Sequence, residues 1–507
     1  MTYPVWYVPF GSAWIIAVIA TVHVFISHFA IGGGLMLVLL EATASRHDDE
    51  ALKGWLKRRS RFFLLLTLVL GALTGVGIWF TISLISPAAT STLIRLFVWV
   101  WAIEWVFFLA ETMAILVYYY TWDRLDPFAH RIVGWIYFGS AYLSLVAING
   151  ILAFQLTPGR WLASGSLWDA FFNPTNLPSL VARTLVCFIL AGLFTLFGLA
   201  FTKTGPRPDL VRRSLLWVVI PLASLPLVLF WYFKAIPPEQ RLIAAAVPYF
   251  NHLALTALFA MAAIALLAAA VWFSRGKVAL RQFAAIMLLL GLFGFGSAEW
   301  LREDLRLPYL IVGNTYANGV AVSALPELRS QGLLATSQWS SVKAVTRQNE
   351  AQAGKEIFVM ACSQCHTVRS RLIPLGPRLA SLDEGFASWL AYRTDLMRGG
   401  MPPFPGTAAE AEAVAHYLRV AALPEAISSD GASVFRRRCG VCHTMSGSFR
   451  PLARVFEGEK AEDAVSVLND LQSFSSDMPK WTGSETEKSA LAQWLVAQSN
   501  PAKKGAS

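Results

Sequence analysis

Eight stretches of the chain are apolar and long enough to cross a bilayer as helices, near residues 13–41, 62–86, 96–121, 132–156, 178–201, 214–233, 249–273 and 280–298. A hydrocarbon layer of ~30 Å needs about 20 such residues at ~1.5 Å each. After Glu299 the pattern changes: the chain turns polar and rich in turn residues, and apolar positions recur only in short amphipathic stretches such as 408–418 and 484–496. The pattern predicts an all-α protein, a polytopic membrane helix bundle of about eight spans followed by two small helical domains. The boundaries fall at 1–310 for the membrane part, 311–350 for a linker, and 351–424 and 425–499 for the small domains.

Composition agrees. The 507 residues are 55% hydrophobic and only 15% charged, with a mean hydropathy of +0.51, which excludes an ordinary soluble enzyme. The net charge of +10 does not indicate a nucleic-acid partner, because the chain is rich in Trp and Phe and its charges are sorted by loop. Connections around 46–61, 122–131, 202–213 and 274–281 hold 15 Lys and Arg; those around 1–12, 87–95, 157–177 and 234–248 hold 4. The positive-inside rule puts the first group in the cytoplasm, and the N-terminus and everything after the eighth span outside. Met1-Thr2-Tyr3-Pro4-Val5-Trp6 lacks the basic start of a cleaved signal, so the first span reads as retained. The expected location is the cell membrane of a bacterium or archaeon, in contact with lipid.

Two pentapeptides in the polar third carry chemistry: Cys362-Ser363-Gln364-Cys365-His366 and Cys439-Gly440-Val441-Cys442-His443. Cys-x-x-Cys-His is the attachment signature of c-type haem, in which two thiols add to the porphyrin and the His binds iron. Downstream of each lies a Met-Pro, with Met401 and Met478 as the opposite ligands. A His/Met pair makes a low-spin electron carrier of raised potential. The residues predict two covalent c haems, attached through Cys362, Cys365, Cys439 and Cys442, with His366, Met401, His443 and Met478 on the irons. The competing readings are zinc or a disulfide; zinc would need further Cys or His ligands, and neither segment supplies a second pair. Cys187 lies in an apolar run and reads as a small buried residue. Haem is attached to such domains outside the cytoplasmic membrane, so motif and loop charge agree on topology.

Ionisable groups inside spans are costly and mark functional sites. His23 and His28 lie in the first span; five residues are about 500° of rotation, so their faces differ by roughly 140° and they cannot serve one iron together. His23 reads as a haem ligand, whereas His28 either serves a separate site or hydrogen-bonds between helices. Glu104 and Glu111, two turns apart on the third span, share a face and suit a proton relay, or else hold structural water. Glu299 follows the small-residue run Gly294-Phe295-Gly296-Ser297-Ala298, which would let a flat group approach the backbone. His252 and Arg183 complete the candidates; Arg183 either neutralises a haem propionate or snorkels to the interface.

With these residues in place, 1 to about 310 resembles subunit I of the cytochrome bd family of oxygen reductases. The likeness rests on Thr21-Val22-His23-Val24-Phe25, a Gly-rich turn and Leu40-Glu41-Ala42-Thr43; on Ala102-Ile103-Glu104 with Phe107-Phe108-Leu109-Ala110-Glu111 and Trp122-Asp123-Arg124-Leu125; on Ala147-Ile148-Asn149-Gly150 and Thr157-Pro158-Gly159; and on Ser297-Ala298-Glu299-Trp300-Leu301-Arg302. The resemblance implies that His23 and Glu299 are axial ligands of an active-site haem pair and that Glu104 and Glu111 serve haem environment and proton supply. It implies two or more non-covalent haems, b or d, and a second membrane subunit of the cytochrome bd subunit II type. The departures matter. The two acids of the third span are seven residues apart here, against eight in the family. Arg183 and Leu253 stand where the family places the His and Met of its low-spin haem b, with His252 adjacent. The long quinol-binding loop is missing between the sixth and seventh spans, and the c-type domains occupy the place of a ninth helix.

The expected function is a membrane haem oxidoreductase that reduces oxygen at the membrane haem pair, fed through the two c haems by a periplasmic donor, itself a c-type cytochrome. Two other readings stay open at the level of sequence: an electron conduit from quinol outward to a periplasmic acceptor, and reduction of another small gas such as nitric oxide.

Overall fold

The computed structural model describes residues 3–202, 207–274, 279–370, 373–398, 400–423, 428–447 and 449–500. Parts of two connections expected to be basic, 203–206 and 275–278, lie outside the described residues, as does Gly399 beside Met401. Among the described residues eight helices are long and apolar enough to span a membrane: span 1 (Ser12–Arg46), span 2 (Glu50–Ile85), span 3 (Val98–Tyr120), span 4 (Pro127–Leu156), span 5 (Asn176–Ala200), span 6 (Pro208–Ala235), span 7 (Tyr249–Phe273) and span 8 (Leu280–Asp304). They correspond one for one to the apolar stretches.

Most spans run past those stretches into sequence expected to be loop. Span 2 starts at Glu50 because Asp49 caps it, accepting the Leu52 amide at 2.9 Å. Its first turns bury Leu52, Leu56, Ser60 and Phe63 at helical spacing. The basic residues of 50–61 therefore ride on a helix. Between Leu65 and Gly71 the span widens into a π-helical turn.

Span 1 is central, packed against spans 2, 4 and 5 and touching span 8. The run Gly32-Gly33-Gly34, expected to be a turn, lies inside this helix. A Cβ on Gly32 would stand 2.0 Å from the Cys187 carbonyl oxygen, and one on Gly34 2.3 Å from the Tyr137 ring. The glycines are there so that spans 4 and 5 can approach, and Cys187 is fully buried at that crossing. Exposed Leu73, Val76 and Phe80 on span 2 and Leu227 on span 6 make up the apolar outer surface that lipid requires.

Past span 8 a short hairpin, Tyr309–Ile311 paired antiparallel with Thr315–Tyr316, leads into the small domains. The stretch 311–350, expected as a linker, is packed structure: Tyr316, Val320, Leu328, Leu333, Leu334 and Val342 share one core with Ala353, Ile357, Phe358 and Leu418. Glu410 fixes it by accepting the Leu333 and Leu334 amides at 2.9 and 2.7 Å.

The two small domains are a duplication in constant register, with 77 residues from Cys362 to Cys439, from His366 to His443 and from Met401 to Met478. The register extends to helix contacts. A Cβ on Gly354 would lie 2.1 Å from the Ala413 carbonyl oxygen, and one on Gly431, the equivalent position, 2.2 Å from that of Ala490. Capping boxes open the last helix of each repeat, Thr407 with Glu410 and Ser484 with Glu487.

Gly354→Ala should open the first repeat alone and Gly431→Ala the second, each at about 1–3 kcal/mol, because the added carbon must displace a backbone carbonyl. Limited proteolysis mapped by mass spectrometry would show cuts confined to the altered repeat. Cuts shared by both would mean that the repeats fold as one unit.

Candidate haem sites

Glu299 sits near the C-terminal end of span 8 between two guanidinium groups. Arg183 of span 5 lies 2.9 Å from one carboxylate oxygen and Arg302 2.9 Å from the other. The second Arg183 nitrogen approaches His28 Nε2 at 3.2 Å. His28 Nδ1 lies 2.8 Å from the Val24 carbonyl oxygen, which can only accept, so Nδ1 carries the proton and Nε2 accepts from Arg183. Both ring nitrogens of His28 thus have partners. Arg183 keeps Nε buried with no partner among the described residues.

Below this cluster an apolar cleft opens between spans 5, 6, 7 and 8, with about 910 Å³ of empty space, its open side included. Ala182, Ala257, Ala260, Gly291 and Gly294 are among its walls, with Arg183, Glu299 and Arg302 at one end. The residues fit a haem: small side chains and an apolar wall for the macrocycle, a carboxylate for iron, and the orphaned Arg183 N–H for an acid group. Gly294 also has a packing role, since a Cβ there would stand 2.7 Å from Ala260 on span 7. His252 lies on the exposed face of span 7 and is not among the residues lining the cleft.

His23 faces another way. Its Nδ1 lies 3.1 Å from the Thr74 hydroxyl on span 2, and its ring rests against Gly75, just past the π-helical turn. The structure therefore does not bring His23 into contact with Glu299; span 1 turns His23 to span 2 and His28 to spans 5 and 8. Glu104 accepts a hydrogen bond from Ser144 of span 4 at 2.9 Å. Glu111 lies two turns along the same face, and two further turns bring Tyr118.

Tyr118 leads to a cluster that the sequence did not suggest. Its hydroxyl donates to Glu41 Oε2 at 2.7 Å, and Glu41 Oε1 lies 2.8 Å from His130 Nδ1. His130 Nε2 donates to the Tyr118 carbonyl at 2.7 Å, so His130 and Glu41 share one proton across their contact. All three residues are buried, at the end of the bundle away from the small domains. The available signal was the seven-residue spacing of 104, 111 and 118, hidden because Tyr reads as an ordinary apolar position.

In each small domain the histidine is oriented in the same way. His366 Nδ1 donates to the Ile373 carbonyl at 3.2 Å and His443 Nδ1 to the Arg450 carbonyl at 3.0 Å, which leaves each Nε2 for iron. Ile373 and Arg450 are both left-handed, φ 44° and 43°, a conformation that costs side-chain-bearing residues about 1–3 kcal/mol and persists where a fixed carbonyl is needed. Burial pushes the Cys362 and Cys439 thiols up to about 12, and the Cys442 thiol up as well. An uncharged thioether suits those positions better than the thiolate that zinc demands. Arg438 stacks on Trp481 at 5.3 Å, and each keeps a buried N–H, Nε and Nε1, without a partner among the described residues. Such donors suit the acid groups of a haem in the second repeat.

The first repeat stands on the bundle. Phe358 meets Tyr7 edge-on at 6.0 Å, Ser370 donates to the Phe10 carbonyl at 3.2 Å, and Gln364 donates to the Asn318 carbonyl at 3.0 Å. A Cβ on Gly400, next to Met401, would stand 3.8 Å from Leu307, just past the end of span 8. From there Arg306, Glu303 and Arg302 form consecutive ion pairs down to Glu299.

A bundle of eight spans carrying thiol-and-histidine haem-attachment sites on its end defines a membrane haem oxidoreductase. Residues 12–232 match the family model of cytochrome bd terminal oxidase subunit I, and residues 349–418 that of the cbb3-type cytochrome c oxidase subunit III. The chain thus carries a cytochrome bd oxidase subunit I domain in its N-terminal region and a cbb3-type cytochrome c domain toward its C-terminus. Glu299 and the second pentapeptide lie beyond the matched residues. Among solved structures, the bd oxidase from Geobacillus thermodenitrificans is similar, with a TM-score of 0.54 at 17% identity over 60% of this chain and 88% of that one; the likeness is one of fold. No curated protein matches the chain.

Tyr118→Phe removes one donor from a buried carboxylate and leaves the ring stack on His130 in place. The expected loss is about 1–3 kcal/mol, read as a lower melting temperature in detergent. An unchanged melting temperature would mean that Glu41 does not depend on that hydroxyl.

Proposed function

We propose that the protein reduces molecular oxygen to water within the membrane, with electrons delivered through two covalently bound c haems from a periplasmic c-type cytochrome. The single observation that carries this reading is the unbroken line of ion pairs from Glu299 to Arg306, whose neighbour Leu307 lies against Gly400, the residue before Met401 in the first small domain. It ties the candidate membrane site to the electron-carrying domain through one rigid helix end.

Bound haem, b or d, supplies one-electron chemistry and an iron position open to a small gas. The chain's own residues do the rest. Arg183 and Arg302 hold Glu299 as a carboxylate; both donate to Oε2, and Oε1, beside Arg183 alone among the described residues, retains a lone pair for a metal. His23, steadied by Thr74, is the second ligand proposed. Glu104, with Ser144, and Glu111 hold protons along one face of span 3. Arg183 at the position of the family's low-spin ligand, together with the short connection between spans 6 and 7, argues against quinol as the direct donor. The small domains lie on the periplasmic side, opposite the basic connections, and a second membrane subunit covers part of the exposed apolar surface.

Glu299→Ala should lower oxygen uptake by about 100-fold, alter one high-spin membrane haem and spare the covalent haems. The reduced spectrum should shift with carbon monoxide in the parent protein. No shift, with every membrane haem six-coordinate, would instead support the outward conduit. A reduced c-type cytochrome should drive uptake and quinol should not; quinol turnover that survives loss of both attachment sites would overturn the route.

A further inference from the structure

The duplication places one surface of the small domains in two settings, covered in the first repeat and open around Phe474 in the second, where Asp477 at its edge is paired with Arg393. In the first repeat the turn Thr394–Leu396, with Met397 and Arg398, precedes the Met401 loop. The attachment pentapeptide of the second repeat is seated on this turn. Arg398 N–H donates to the carbonyl of Val441, the residue between Cys439 and Cys442, at 2.7 Å. Met397 and Val441 join one apolar cluster. At the rim Arg393 pairs with Asp477 at 3.0 Å and Arg438 with Asp383 at 3.2 Å.

Moving on by the repeat offset turns Thr394–Leu396 into the helical turn Leu471–Phe474, with Met397 replaced by Phe474, Arg398 by Ser475 and Met401 by Met478. Phe474 is 60% exposed, whereas its equivalent Met397 in the covered turn is half-buried. We infer that the surface from Leu471 to Ser475, centred on Phe474, docks the haem-attachment edge of a separate c-type cytochrome, in the way the first repeat holds that edge of the second. The donor then loses one electron and the second repeat gains one.

Neither attachment edge of this chain is free to fill the surface in a second copy. Val441 is bonded to Arg398, and Ser363 and Gln364 are buried, with Gln364 on Asn318. The occupant is therefore another protein. The rim charges are also exchanged: Asp470 stands where the first repeat has Arg393, and Lys460 where it has Asp383. A fitting donor presents a basic group beside its haem edge, opposite Asp470. Such encounters are small and salt-dependent, which suits turnover.

The inference rests on the inward direction of electron flow proposed above, and the test separates the two. Full-length protein in detergent is mixed without oxygen with a reduced, basic, monohaem cytochrome c, and reduction of the c haems is followed by stopped flow. Phe474→Ala should lower the second-order rate about tenfold, relative to the rate with a small-molecule donor measured on the same variant. Asp470→Lys should lower it at low salt and not at high salt. Leu423→Ser, at a site 86% exposed on the other repeat, is the control and should change nothing. Covalent haem content and melting temperature report that each variant is folded. A relative rate within twofold of the parent for Phe474→Ala overturns the inference, as does concentration-dependent self-association that Phe474→Ala abolishes while the donor rate stays unchanged. No oxygen uptake in the parent protein, with fast reduction by the cytochrome, would instead remove the oxygen-reducing reading and leave the docking surface standing.

Discussion

A carboxylate held inside a lipid-embedded bundle constrains everything around Glu299. An unpaired charge there would cost several kcal/mol, and removing one partner of a buried pair typically costs about 3–5 kcal/mol. Arg183 and Arg302 meet that demand from two different helices, at 2.9 Å each. Arg302 then needs Glu303, and Glu303 needs Arg306, whose other end reaches Gln155 of span 4. One buried charge thus fixes spans 4, 5 and 8 at the end of the bundle that carries the small domains and sets the platform on which the first of them stands.

The same charge decides what span 1 can do. Arg183 occupies His28 Nε2, and Gly32 lets span 1 lie against span 5 close enough for that contact. His23, on a different face of the helix, is left to span 2. The two histidines therefore divide their work by helical geometry alone: one belongs to the charge network, the other is free of it.

How much of this was legible in the sequence differs from part to part for physical reasons. Span positions read directly, because lipid thickness fixes the length of an apolar run, and the two pentapeptides stand out because covalent attachment would require their five-residue spacing. The Gly-rich segment misread as a turn shows the limit: glycine marks turns in water but close helix contact in a bundle, and Gly32 cannot reveal which by itself. The linker was misread because its apolar residues, Leu328, Leu333 and Leu334, are spaced irregularly around a hairpin and short turns, so no helical period announces their core. Arg183 stands out as an ionisable group in an apolar run, but its partners lie on spans 1 and 8, and pairing across more than a hundred residues leaves no local trace.

Duplication explains why the two small domains differ where they do. The positions that build each repeat are kept in register: the helix-crossing glycines, the caps, and the carbonyls at Ile373 and Arg450 that aim the histidines. The positions that meet a neighbour are not. Inside the chain the contact between repeats is permanent, and it uses a backbone hydrogen bond, a cation–π contact of Arg438 with Phe386 at 5.2 Å and a carboxylate, Asp383, shared by Arg438 and Thr482. A surface that must release its partner at each turnover does better with one exposed aromatic ring and a few rim charges, which attract at a distance and hold weakly on contact. Phe474 and Asp470 are of that second kind, so the divergence of the repeats follows the difference between a fixed joint and a transient one.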